Sequence, residues 1–246
     1  MVVPPEQIGA VVLAGGFGTR IKHLLGDLPK PMMPVAGRPF LEWVVRYLAA
    51  QKIRRVILST GYRAETVAHH FATQPVKGVH VTCVPETQPL GTAGGFLNAA
   101  RGAAEHPSAW LILNGDSLVL APLGKMFCLL DDVEVAGALL GLRVPDALRF
   151  GTVSTNASGD LAGFNEKKPG AGLISAGVYL FRAGALEQFP GRRQLSFETD
   201  VFPALVAVRA RLKVCETAAP FLDIGTPETL ALADRFIQDN LDCLKI

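Results

Sequence analysis

The residues with the most evident chemistry follow the first β-branched run: Leu13-Ala-Gly-Gly-Phe-Gly-Thr-Arg20 and, after eight further residues, Pro29-Lys30-Pro31. Glycines at 15, 16 and 18 let the main chain approach a ligand and turn several N–H groups into one concavity, which is how backbone cradles phosphate oxygens. Arg20 offers a planar fork for two phosphate oxygens, and Lys30 a compact charge that its flanking prolines should hold in an extended loop. A polyphosphate suits two such cations beside a glycine-lined turn. Two better-known glycine motifs fail: the dinucleotide fingerprint requires glycine at 21, where Ile21 stands, and a P-loop requires a Gly-Lys-Ser/Thr ending that the stretch lacks. An NAD(P) oxidoreductase is thereby set aside.

Acidic residues supply the other half of phosphate chemistry. Asn114-Gly115-Asp116 ends an apolar run, at the strand end where open α/β sheets place ligand groups. A carboxylate there suits Mg²⁺, which takes one or two carboxylates and completes its shell with substrate phosphates and water. Asp223, in Phe221-Leu-Asp-Ile-Gly-Thr226, is the natural second carboxylate. Gln88 to Gly94 reads as a turn between strand and helix, with Gly91 and Gly94 allowing close backbone approach. His69-His70 has no third ligand at metal spacing and reads as helix surface or packing. The four cysteines form no CxxC pair and read as buried, reduced thiols.

These groups need a scaffold, and the first half provides one. Ala10–Leu13, Val56–Ser59, Val79–Val84 and Trp110–Leu113 read as strands, alternating with helical patterns over 39–51, 64–72, 94–104 and 123–131. This βαβα order predicts a mostly parallel sheet. From Val135 the pattern turns β-rich, with Val135–Leu142, Gly151–Thr155, Gly172–Phe181 and Leu212–Glu216 separated by turn clusters. Thr226-Pro227-Glu228 opens a helix whose Leu230, Ala233, Ile237, Leu241 and Leu244 recur at helical spacing. That amphipathic segment is suited either to docking on its own sheet or to pairing in a homodimer. The organisation expected is one domain over 1–246, with a parallel-sheet half over 1–134, a β-rich lobe over 135–225 and a C-terminal helix over 226–246.

Composition narrows the function classes. With 24 Lys+Arg against 22 Asp+Glu the net charge is +2, without the basic excess of a nucleic-acid binder. Hydrophobic residues make up 49% of the 246, ample for a core. No signal peptide or membrane span is evident, so a cytoplasmic protein is expected.

Leu13 to Arg20 with Pro29-Lys30-Pro31 resembles the signature of the sugar-phosphate nucleotidyltransferases. The likeness continues at Gly61-Tyr62, Pro89-Leu-Gly-Thr-Ala-Gly94, Asn114-Gly-Asp116, Glu166-Lys167 and Asp223-Ile-Gly-Thr-Pro227. The resemblance implies a three-layer, Rossmann-like α/β fold with a mostly parallel central sheet and a smaller β-rich sugar-binding lobe. It assigns catalysis to Arg20 and Lys30, and Mg²⁺ to Asp116 and Asp223. Nucleotide contacts are implied at Leu13, Ala14, Gly15, Gly16, Gly18, Thr19, Gln88, Gly91 and Thr92, with the Gln88 amide as a reader of the base. Sugar-phosphate contacts are implied at Asn114, Gly151, Glu166, Lys167, Ala176 and Gly177. Ser175 departs from the pattern, since many relatives have asparagine there.

Within the family, Ser59-Thr-Gly-Tyr62, Leu113-Asn-Gly-Asp116 and Ser196-Phe-Glu-Thr-Asp200 are most similar to the heptose 1-phosphate guanylyltransferases. The partners so implied are an NTP, GTP favoured, and a sugar 1-phosphate, D-glycero-D-manno-heptose 1-phosphate favoured. Mannose-1-phosphate guanylyl transfer and N-acetylmuramate-1-phosphate uridylyl transfer use the same skeleton. A non-catalytic nucleotide or sugar-phosphate sensor is the reading from another class.

Overall fold

The computed structural model describes residues 3–16, 21, 25–104, 106–165 and 169–245. Strand β1 (Ile8–Ala14) is followed by a small hairpin of β2 (Pro34–Val35) and β3 (Arg38–Pro39), then helix α1 (Phe40–Ala50). Three further β/α alternations follow: β4 (Arg55–Thr60), α2 (Ala64–Thr73), β5 (His80–Pro85), α3 (Gly91–Arg101), β6 (Ala109–Asn114), β7 (Ser117–Val119) and α4 (Gly124–Cys128). The remainder is β8 (Val135–Val144), β9 (Thr152–Thr155), β10 (Leu161–Asn165), β11 (Gly172–Arg182), α5 (Phe202–Ala207), β12 (Arg211–Thr217) and β13 (Phe221–Asp223), closed by α6 (Pro227–Ala231) and α7 (Ala233–Asp239).

The central sheet runs β10-β9-β11-β6-β1-β4-β5, with β8 on β11 and β12 on β8. Strands β5, β4, β1 and β6 are mutually parallel, because each crossover helix returns the chain to the end of the sheet where the preceding strand began. Strand β11 then pairs antiparallel with β6 and β8. The pleat sorts the core into two layers: Ala10, Val12 and Ala14 face one side with Phe40, Leu41, Val44 and Leu48 of α1. Val11 and Ile112 face the other with Phe96 of α3, Phe181, Phe197 and Phe202. The α/β architecture expected from the alternation is the one present.

Several local expectations change. The C-terminal segment is two short helices and a final turn rather than one helix, because the backbone tightens at Leu232, whose N–H donates to Thr229 O. The expected start holds: the Thr226 hydroxyl accepts from the Thr229 N–H. Ala233, Ile237 and Leu244 are buried and Asp234 accepts from the Ala36 N–H, so the segment docks on its own chain. The cysteines are not buried: Cys83 and Cys215 are half-buried, Cys128 and Cys243 exposed, and all four are free thiols. His70 is a packing residue, its Nε2 3.0 Å from Glu42 Oε2. No helix among the described residues is long and apolar enough to cross a membrane.

Candidate active site

At the C-terminal ends of β1, β5 and β6 the parallel strands open into a cleft of about 460 Å³. Its wall includes Leu13 near the end of β1 with Gly15 and Gly16 just beyond it, Lys30, Gly91 and Thr92 at the start of α3, and Asn114 at the end of β6 with Asp116 beyond it. This is where strand ends leave main-chain groups unpaired and helix starts point N–H groups outward.

The strand ends are locked by glycines. The Gly115 N–H donates to Leu13 O at 2.9 Å, and a Cβ at 115 would fall 2.7 Å from that same oxygen. Asp116 is thereby held beside β1. Lys30 reaches it across the cleft, Nζ to Oδ2 2.7 Å. The prolines around Lys30 do not hold an extended loop, as the sequence suggests; Lys30–Met32 is a 3₁₀ turn closed by Met32 N–H to Pro29 O. The turn leaves the Lys30 side chain only 11% exposed and aimed at the carboxylate.

Strand β7 pairs antiparallel with β13, setting Asp223 opposite Ser117, while the Ile224 N–H donates to Asp116 O. The two carboxylate residues singled out in the sequence are therefore neighbours on paired strands, 107 positions apart in the chain. Asp223 Oδ1 accepts from Arg149 Nη2 at 3.0 Å and from the Gly225 N–H at 2.8 Å. Among the described residues no group of three or more His, Cys, Asp or Glu side chains comes together. Two hard oxygen donors with room for phosphate and water fit a magnesium-like ion better than a closed zinc site.

The turn before α3 differs from its sequence reading. Gly91 has φ +75°, and Gly91 and Gly94 lie against the backbone of Leu195 and Arg193, so the close approach belongs to the chain itself. Leu195 O accepts from the N–H groups of Ala93 and Gly94 and occupies part of the helix start. Only Gly16, of the cleft glycines, has open space where a Cβ would stand, with no described atom within 4 Å. Gln88 is exposed and not part of the cleft wall; Glu86 is. The Glu86 carboxylate accepts from Ser59 Oγ at 3.0 Å and from the Leu90 N–H at 3.2 Å. A Cβ at Gly15 or Gly95 would come within 2.9 or 2.5 Å of Glu86 Oε1, so both glycines make room for this side chain. Sequence reasoning passed over Glu86. The available signal was its place as the first polar residue beyond β5, at the ligand end of the sheet.

Beside β6, the ladder of β11 shifts between Ser175 and Tyr179, and Gly177 in that shift has φ +71° and abuts the Asn114 side chain. Ala176 is buried, and Gly151 lies at the start of β9 with Asn165 O the nearest atom to a Cβ there. Ser175 donates weakly to the Tyr179 hydroxyl, 3.4 Å, which donates to Glu198 Oε1 at 2.7 Å. Glu198 Oε2 also accepts from Ser196 Oγ, 2.8 Å, and from Thr92 Oγ1 at 3.5 Å. Burial, with the adjacent Glu198 carboxylate, pushes the Tyr179 phenol well above its usual range, so it stays a donor. Gly18, Thr19, Arg20, Glu166 and Lys167 lie outside the described residues.

A model of the nucleotidyl transferase family matches residues 9–240. The chain belongs to that family. A mannose-1-phosphate guanylyltransferase from Mycobacterium tuberculosis is 36% identical over 226 residues, 91% of this chain and 62% of the relative, so this chain spans under two thirds of that relative's length. A D-glycero-alpha-D-manno-heptose 1-phosphate guanylyltransferase from Aneurinibacillus thermoaerophilus is 34% identical over 230 residues, 93% of this chain and 98% of the relative. The crystal structure of HddC from Yersinia pseudotuberculosis complexed with GMP-PN superposes with a TM-score of 0.79 at 32% identity, covering 92% of this chain and 98% of that one. In this nucleotidyl transferase the cleft at the strand ends holds Lys30 and Asp116, with Asp223 beside Asp116 through the β7–β13 pairing.

Proposed function

We propose that this chain transfers a guanylyl group from GTP to a sugar 1-phosphate, releasing pyrophosphate. The observation that carries the reading is the Lys30–Asp116 ion pair in the cleft at the strand ends, with Asp223 set beside Asp116 by the β7–β13 pairing. An oxygen of the sugar 1-phosphate bonds to the α-phosphorus as the bond from that phosphorus to the bridging oxygen of the β-phosphate breaks, and pyrophosphate leaves with the electron pair. The phosphate is already a nucleophile at neutral pH, so no general base is needed and the barrier is electrostatic and positional.

Lys30 neutralises charge around the α-phosphate, and the Gly15–Gly16 backbone lies against the triphosphate. A magnesium ion on Asp116 and Asp223 would supply Lewis-acid charge to the phosphate oxygens. Arg20 on the pyrophosphate side, and Glu166 with Lys167 on the sugar phosphate, keep the roles implied by resemblance. Glu86 rather than Gln88 reads the base: a carboxylate accepts only, and guanine presents its N1–H and exocyclic amine as adjacent donors. A cytoplasmic location fits the supply of nucleoside triphosphate.

D-glycero-D-manno-heptose 1-phosphate is the favoured acceptor, in keeping with the relative matched over 98% of its length; mannose 1-phosphate is the second reading, favoured by the 36% identical mycobacterial relative. The test is pyrophosphate release with Mg²⁺ over a grid of GTP, ATP, UTP, CTP and dTTP against heptose, mannose, glucose and N-acetylmuramic acid 1-phosphates. Turnover confined to GTP with heptose 1-phosphate is expected. Turnover with UTP or dTTP alone refutes the base assignment, and a blank grid with folded protein favours a sensor.

A further inference from the structure

Each of the two site carboxylates already carries a cation of the protein. Lys30 holds Asp116, and Arg149 holds Asp223 at 3.0 Å. Two carboxylates on paired strands repel, and one ammonium plus one guanidinium supply the same +2 charge that a divalent ion would bring. Lys30 is anchored in a tight turn of the nucleotide half. Arg149 comes from elsewhere, the segment between β8 and β9 that ends at Gly151. Its guanidinium also lies over the Phe150 ring, 5.4 Å to the centroid, and Phe150 packs edge-on against Phe221 of β13, so the arm is seated beside Asp223 by ring contacts as well as by charge. The pair is partly open, with side-chain exposures of 42% and 23%, so the bond can exchange.

We propose that Arg149 is a positioning residue, a resident counter-ion that occupies Asp223 until a divalent cation displaces it. The inference rests on the reading of Asp116 and Asp223 as the metal carboxylates. It makes cation binding and the placement of the 145–151 segment one event, because a cation and the guanidinium would compete for the same carboxylate. Lone metal is then resisted, and metal arriving with a triphosphate prevails.

The test is Mn²⁺ affinity of the nucleotide-free protein, read by the loss of the free-ion paramagnetic resonance signal, for wild type, Arg149→Gln, Arg149→Lys and Asp223→Asn. Removing the competitor should tighten Mn²⁺ binding about fivefold in Arg149→Gln. Arg149→Lys, which keeps the charge and loses the fork, should fall between the two and covers the case in which the glutamine variant fails to fold. Asp223→Asn should weaken binding. Equal affinity in wild type and both folded Arg149 variants, with Asp223→Asn weakened, overturns the counter-ion while leaving the metal reading intact. Unchanged affinity in Asp223→Asn overturns the metal reading and the counter-ion with it.

Discussion

The roles proposed for Lys30 and Glu86 are the ones most open to single substitutions. Lys30→Ala should lower kcat about 100-fold, the scale of a lost transition-state cation, with GTP binding far less affected; steady-state pyrophosphate release reads both. If Glu86 accepts from the guanine amine, wild type should prefer GTP over inosine triphosphate, which lacks that amine, by about tenfold in kcat/KM. Glu86→Gln should flatten the ratio. Gly95→Ala should do the same with Glu86 intact, because its methyl would claim the place of Oε1. A retained GTP preference in both variants would refute the assignment. Lys30, Asp116 and Asp223 were readable from the chain because each sits in a short, dense motif. Glu86 was not: Pro85-Glu-Thr-Gln88 looks like a solvated turn, and only Ser59, Gly15 and Gly95, brought from three places, make its carboxylate a fixed part of the wall.

Between elements, the tie of α1 to α2 is the sharpest electrostatic feature. The Glu42 side chain is 2% exposed and accepts from Arg38 at 2.7 Å and Arg46 at 2.9 Å, with His70 of α2 at 3.0 Å. Burial raises its pKa, but the hydrogen bonds from Arg46 and His70 and the nearby Arg38 outweigh that, and the net shift is downward. A carboxyl held below its unfolded value stabilises the fold fully above that value, and the contribution is lost as pH falls through the folded one. Glu42→Ala should cost about 1–2 kcal/mol at pH 7, leaving partly exposed cations without their carboxylate, and the gap to wild type should shrink below about pH 4.5 in denaturant titrations. A gap independent of pH would contradict the charge argument. The strand and helix order was plain from periodicity, whereas the C-terminal break at Leu232 and the Leu195 carbonyl across the start of α3 were not. Both depend on backbone meeting backbone across long separations, which leaves no local pattern.

For the molecule as a whole, ligand binding should report on the fold. GTP with Mg²⁺ at about 100 times its Kd should add about 2.7 kcal/mol and raise Tm by roughly 5–10 °C, and a chelator should abolish most of that shift. A shift unaffected by chelation would argue that nucleotide binds without metal. The change of pattern near residue 135 is visible in the sequence, yet that pattern does not reveal that one strand, β11, is laddered to β6 through Val178–Arg182 and to β8 on its other edge. That shared strand has a mechanical consequence. A hinge between the two halves would have to tear hydrogen bonds out of the middle of a sheet, so the enclosure of substrates falls to segments outside the ladders. The radius of gyration measured by X-ray scattering should therefore be the same with and without substrates, and the catalytic cycle should proceed on a rigid frame whose loops alone keep time.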